Sequence, residues 1–139
     1  MEDLHLSFEI VDDMGSAGEA SSAVKQTLRK MGFDSDTIRR VAVCMYEGEI
    51  NMVIHADGGT ACVDIGLDEI KIVLRDVGPG IPDVEMAMRE GFSTADTSAR
   101  NLGFGAGMGL PNMKKNSDEM TIDTVVGTGT TVTMVIRVK

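Results

Sequence analysis

Leu4, Leu6, Phe8 and Ile10 alternate with His5, Ser7, Glu9 and Val11, a period-two pattern that predicts a half-buried strand over 4–11. The period then lengthens. Residues 16–31 carry apolar positions at helical spacing and stop at Gly32, a residue suited to the left-handed position just past a helix. Ser35 or Asp36 can cap a second, longer helix that runs to about Ala56, where Asp57-Gly58-Gly59 breaks it. Residues 60–67 and 69–76 read as a hairpin across a polar turn. A short helix is expected over 82–91, a polar loop over 92–105 and another helix over 110–116. A closing hairpin follows from 119–126 and 130–138 across Gly127-Thr128-Gly129. The order βααββααββ fits neither a Rossmann unit nor a barrel. It predicts an α+β two-layer sandwich, with helices on one face of a mixed, mostly antiparallel sheet.

Composition narrows the function classes. A chain of 139 residues with 42% hydrophobic content suits one domain spanning 1–139. Thirteen basic against twenty-two acidic residues give a net charge of −9, which repels phosphate backbones and anionic lipid, so neither nucleic acid nor membrane is an expected partner. The N-terminal MEDLHLSFEI lacks the features of a signal peptide, and a cytoplasmic location is expected. Cys44 and Cys62 fit no metal or disulfide spacing and receive no chemistry.

In the second helix Glu47, Asn51 and His55 recur every fourth residue and share one face. That face lies opposite Ile38, Val41, Ala42, Met45, Met52 and Val53, the stripe expected to pack on the sheet. An Asn oxygen suits Mg²⁺, and a carboxylate one turn earlier can orient a water or take a proton from a hydroxyl. A solvated polar face reads the same way when taken alone. Gly48 is unusual in mid-helix and points to close packing or a bound ligand. Glu49 falls near the apolar side of the wheel, and the sequence supplies no reason for it.

Asp76-Val77-Gly78-Pro79-Gly80-Ile81 follows an apolar strand and puts a carboxylate where backbone can wrap a flat ligand with an exocyclic amine; a plain turn is the alternative. Four glycines alternate from Gly103 to Gly109 and run into a helix pattern. Amides at a helix N-terminus form a site for phosphate groups. No Gly-Lys-Ser/Thr follows, so this is not a P-loop.

Together, Glu47-x-x-x-Asn51, Asp76-x-Gly78-x-Gly80, Gly105-x-Gly107-x-Gly109-Leu110 and Gly127-Thr128-Gly129-Thr130 resemble the N, G1, G2 and terminal Gly-Thr boxes of the GHKL ATPase family, in its order and spacing. The resemblance covers nearly the whole chain and implies the histidine-kinase-like, or Bergerat, ATPase fold. It is strongest to the single-domain anti-sigma and stress-switch serine kinases of bacteria. Asp76 to Asp83 and Gly91-Phe92-Ser93-Thr94 are similar to kinases that act on STAS-domain partners.

That resemblance implies ATP or ADP as ligand, with Asn51 on Mg²⁺ and Glu47 as general base or water-positioning acid. It implies that Asp76 accepts the adenine amino hydrogen, with Thr130 near through a water and Gly78 and Gly80 admitting the base. Ile81 and Met86 would line the adenine slot. Gly105, Ala106, Gly107, Met108, Gly109 and Leu110 would form the phosphate loop, residues 92–104 the ATP lid, and Gly103 its hinge. His55 stands where the family can place a phosphate-touching residue; a packed structural histidine is the alternative. Arg100, Lys114 and Lys115 are candidates for the γ-phosphate. Ala95 to Asn101 lengthen the lid relative to the switch kinases.

The implied activity is a protein serine/threonine kinase that phosphorylates a STAS-type antagonist and acts by partner switching. A nucleotide-dependent anti-sigma or switch protein with little turnover is the alternative. A sigma factor or other regulator is a second candidate partner, and pairing through strand 4–11 makes a homodimer the expected assembly. Only His5 and His55 exist, and neither lies in a helical-hairpin segment, which sets aside the catalytic piece of a sensor histidine kinase.

Overall fold

A computed structural model describes residues 4–11, 15, 17–55, 58–78, 80–81, 88 and 109–138. In chain order these form β1 (Leu4–Ile10), α1 (Glu19–Met31), α2 (Ser35–His55), β2 (Gly59–Ile65), β3 (Glu69–Arg75), α3 (Gly109–Asn116), β4 (Glu119–Val125) and β5 (Gly129–Arg137). Of the helix expected over 82–91 only Met88 is among the described residues, and the loop expected over 92–105 lies outside them.

The strands make one sheet in the order β1-β2-β3-β5-β4. All four pairings are antiparallel, so no parallel pair occurs among the described residues. Register places whole rows of apolar side chains on one face. Leu6, Val63, Ile72, Met134 and Met120 stand side by side across the five strands, and Phe8, Ala61, Leu74, Val132 and Ile122 form the next row. On the other face the corresponding row is Ser7, Cys62, Val73, Thr133 and Thr121. This alternation leaves one face to be covered by helices.

The helices cover it. Val24 and Leu28 of α1, Val41, Cys44 and Met45 of α2, and Met113 of α3 join the sheet's apolar rows in one core. Gly48 allows the closest approach: a Cβ there would stand 2.0 Å from Leu74 Cδ1, so the mid-helix glycine serves helix-to-sheet contact.

Local chemistry sets the helix ends. Helix α1 starts at Glu19, after Gly18 at φ +98°, later than the sequence pattern suggests. It ends at Gly32 as expected, where the Gly32 and Phe33 amides donate to the Arg29 and Leu28 carbonyls at 3.1 Å each. Helix α2 is capped by Asp34 rather than by Ser35 or Asp36. Its carboxylate accepts from the Thr37 amide at 3.0 Å and the Thr37 hydroxyl at 2.6 Å, and the hydroxyl bond, then the amide bond, lower its pKa.

Candidate functional site

Several element ends converge at one end of the sheet. Gly59 begins β2, Arg75 ends β3, Val125 ends β4 and Gly129 begins β5. The C-terminal half of α2 reaches the same place. A Cβ on Gly59 would lie 2.2 Å from the Arg75 carbonyl, 3.0 Å from Asp76 Cα and 3.0 Å from Met52 Cε. Asn51 therefore precedes a residue that packs beside the Asp76 turn.

Helix periodicity puts Glu47 and Asn51 one turn apart on α2, both half-buried. The start of α3 closes against them. A Cβ on Gly109 would stand 2.9 Å from Asn51 Oδ1 and 3.0 Å from Nδ2, so the glycine lets this helix end meet the amide without displacing it. Asn112, one turn along α3, donates from Nδ2 to Glu47 Oε1 at 3.3 Å. The result is a carboxylate and an amide oxygen at the mouth of a helix whose first N–H groups lack intrahelical partners. A lone amide oxygen is a partial donor set for a hard cation. Mg²⁺ ordinarily completes such a set with phosphate oxygens and water, which suits this arrangement. Among the described residues no three His, Cys, Asp or Glu side chains gather into a metal site of their own.

The second cluster is built on strand ends. The Asp76 amide donates to the Thr130 carbonyl at 2.9 Å, extending the β3–β5 ladder by one step. Asp76 Oδ1 then accepts from the Gly78 amide at 2.9 Å and the Thr130 amide at 3.2 Å. Thr124 ties in the next segment: its hydroxyl accepts from the Ile81 amide at 2.8 Å and lies 2.9 Å from Thr130 Oγ1. Gly80 sits at φ +79°, and a Cβ on it would meet the Val125 carbonyl at 2.7 Å. Backbone amides thus hold Asp76 by one oxygen, and both bonds leave Oδ2 aside. Beside this turn Val77, Val125 and Val126 are exposed apolar side chains, with Val77 83% accessible. A fixed carboxylate flanked by exposed valines suits a flat heterocycle that bears an amine.

Of the residues singled out in the sequence, Glu47, Asn51, Asp76, Gly78, Gly80, Ile81, Gly109, Leu110 and Thr130 fall in these two clusters or on the segments that build them. Met86, Gly103, Gly105, Ala106, Gly107, Met108, Arg100 and the lid lie outside the described residues, as does the His55 side chain. Lys114 and Lys115 occupy the last turn of α3, the end remote from Gly109, where cations complement the helix dipole. Asn112 and Thr124 have no signal in the sequence, because each is recruited by an element distant along the chain.

Glu49 is explained by the fold. Its side chain is 2% exposed, and its two oxygens accept from the Gly18 amide at 2.9 Å and the Ser21 amide at 2.6 Å. It caps α1 from α2. Burial pushes its pKa up, against the lowering pull of the Ser21, Gly18 and Ala20 amides. Cys44 is fully buried, and burial raises its thiol pKa to about 12, which keeps it protonated and inert.

Comparison with known proteins accords with this geometry. Residues 10–136 match the family model for the histidine kinase-like ATPase domain. The chain is 32% identical over 110 residues to the serine/threonine-protein kinase RsbT of Bacillus subtilis, covering 76% of this chain and 77% of that one. It is 25% identical over 136 residues to the anti-sigma F factor of Geobacillus stearothermophilus, covering 94% and 88%. Among solved structures, the RsbU and RsbW domains of a Mycobacterium tuberculosis protein align with a TM-score of 0.64 at 16% identity. That alignment covers 97% of this chain and 32% of the other, so the chain spans about a third of its length. The SiaB-SiaC complex of Pseudomonas aeruginosa gives a TM-score of 0.64 at 14% identity, covering 94% and 88%. These two structures speak to the fold alone.

Proposed function

This chain belongs to the histidine kinase-like ATPase domain family, and on that premise we propose that it is an ATP-binding protein serine/threonine kinase that acts by partner switching. Its proposed substrate is a small STAS-type antagonist. The observation that carries the proposal is the closure of α3 on α2, which sets Gly109 against Asn51 while Asn112 holds Glu47. Phosphoryl transfer needs positioning and charge neutralisation more than covalent chemistry from the protein.

In this reading Asp76 Oδ2 accepts from the adenine amine, and Gly78, Gly80 and Ile81 let the base lie against backbone. The N-terminus of α3 faces the phosphates, and Gly105, Ala106, Gly107 and Met108 are the proposed phosphate-loop residues. Asn51 would hold a Mg²⁺ ion, which would supply neutralisation of phosphate charge. Glu47 takes the proton of the acceptor hydroxyl, in an orientation that the Asn112 bond maintains. The acidic chain makes this local compensation necessary, since ATP adds negative charge to a protein already at −9.

The names of RsbT and the anti-sigma F factors support a regulator of this type. The proposed setting is cytoplasmic, and among the described residues no helix is long and apolar enough to cross a membrane. A sigma factor is a further proposed partner, and the β1 edge a proposed surface for homodimer pairing. The test is transfer of labelled phosphate from ATP to any STAS-domain protein found encoded beside this one, with Mg²⁺ present. Absence of transfer while ADP still binds, with partner capture that depends on nucleotide, would establish the low-turnover switch instead.

A further inference from the structure

The outer surface of the helical layer carries a groove that meets the proposed nucleotide site only at Glu47. This open groove of about 630 Å³ runs between α1 and α2. Lys25 and Arg29, one turn apart on α1, and Arg39 on α2 line it. Val43 and Tyr46 contribute its apolar floor, and Glu47 is the only acid in its lining among the described residues. We infer that this groove docks an acidic segment of the protein partner and delivers its acceptor hydroxyl toward Glu47. The inference rests on the kinase reading above and adds where and by what chemistry the substrate is held.

Charge is the first support. Acids outnumber bases twenty-two to thirteen in this chain, yet three cations gather along one groove. The side chains of Lys25 and Arg29 are exposed and make no ion pair or hydrogen bond among the described residues. Arg39 is engaged, with Asp36 at 3.0 Å and Asn116 at 3.0 Å, which fixes its guanidinium on the groove's rim.

Shape is the second. Tyr46 is 40% exposed, and its ring is so close to Gly18 that a Cβ there would lie 3.2 Å from Cε1. A rigid aromatic face beside free cations suits a peptide with apolar and acidic residues in turn.

Other occupants fit worse. A nucleic acid would extend past these three cations onto a surface of net negative charge. A second copy related by a two-fold axis would set the same cations against themselves.

The test is fluorescence anisotropy with a short labelled peptide that alternates Glu and Ala around one Ser, beside matched peptides with Gln or Lys in place of Glu. The Glu peptide is expected to bind at least about tenfold more tightly than the Gln peptide, and the Lys peptide not to bind. Joint Lys25→Glu and Arg29→Glu substitution should weaken the Glu peptide on the order of tenfold and let the Lys peptide bind. The milder Lys25→Gln, Arg29→Gln pair should give an intermediate loss, and ADP affinity should stay unchanged throughout. Equal binding of the Glu and Gln peptides, or Glu-peptide binding that survives the double reversal, overturns the inference. Preferential binding of a single-stranded oligonucleotide, or salt-sensitive self-association that the double reversal abolishes, also overturns it. Failure of phosphate transfer with peptide discrimination intact would instead count against the kinase reading.

Discussion

Asp76 and Thr130 are joined in both directions: the Asp76 amide donates to the Thr130 carbonyl at 2.9 Å, and the Thr130 amide donates to Asp76 Oδ1 at 3.2 Å. With the Gly78 amide on the same oxygen, backbone alone orients the carboxylate. Asp76→Asn retains an oxygen acceptor for both amides but turns the second atom into a donor. It should therefore fold normally and lose ADP affinity by about tenfold to a hundredfold, because two donors would face each other. GDP, with a carbonyl where adenine has its amine, should lose less. Calorimetric titration of both nucleotides checks this.

Asn112 touches Glu47 and is predicted to act by positioning it. Asn112→Ala should lower the transfer rate about tenfold while ADP affinity and KM for ATP hold within about twofold. A parallel fall in ADP affinity would mean that α3 itself had shifted.

Gly48→Ala sets two effects against each other. Helix propensity favours Ala by about 1 kcal/mol. The new Cβ would stand 2.0 Å from Leu74 Cδ1, and Leu74 is 3% exposed with little room to move. Overpacking costs about 1–3 kcal/mol, so the variant should be less stable despite the better helix former. Adding Leu74→Val should recover part of the loss, making the double variant more stable in urea than the summed single changes.

Glu49 and Asp118 give stability opposite dependences on pH. Burial raises the Glu49 pKa, so the folded state binds its proton more tightly than the unfolded chain. Stability is then lost as pH rises from about 4.5, the ordinary glutamate value, through the folded pKa. Glu49→Gln should remove that decline. Glu49→Ala should cost about 1–3 kcal/mol at any pH by leaving the Gly18 and Ser21 amides without their acceptor. The Asp118 pKa is lowered by the Arg137 amide and then by Arg40, so its contribution is present above about pH 3.8 and lost as pH falls through the folded pKa. Urea titrations across this range separate the two.

Much of the fold is legible in the sequence because its periods are clean. The alternation of Ile70, Ile72 and Leu74 is the same alternation that stacks the sheet's buried rows. Of the two readings that Gly48 allows, close packing or a bound ligand, the approach to Leu74 shows close packing. Legibility stops where a partner comes from far along the chain. Glu49 accepts from amides 28 and 31 residues away, and Asn112 reaches a carboxylate 65 residues away. No local pattern encodes such contacts. The cap of α2 fell on Asp34 because a side chain just outside the helix reaches the third amide, a distinction of one residue that propensity does not make.

Glu47 is proposed to perform the chemistry in a nucleotide site that other residues build. The direct measurement is transfer of γ-labelled phosphate from Mg-ATP to the proposed STAS-domain partner, made for the native chain and for Glu47→Gln beside ADP titrations of both. Transfer by the native chain is expected, with a loss on the order of a hundredfold or more in Glu47→Gln and equal ADP affinities. Transfer that survives Glu47→Gln, or none from the native chain while ADP binds, would contradict this proposal.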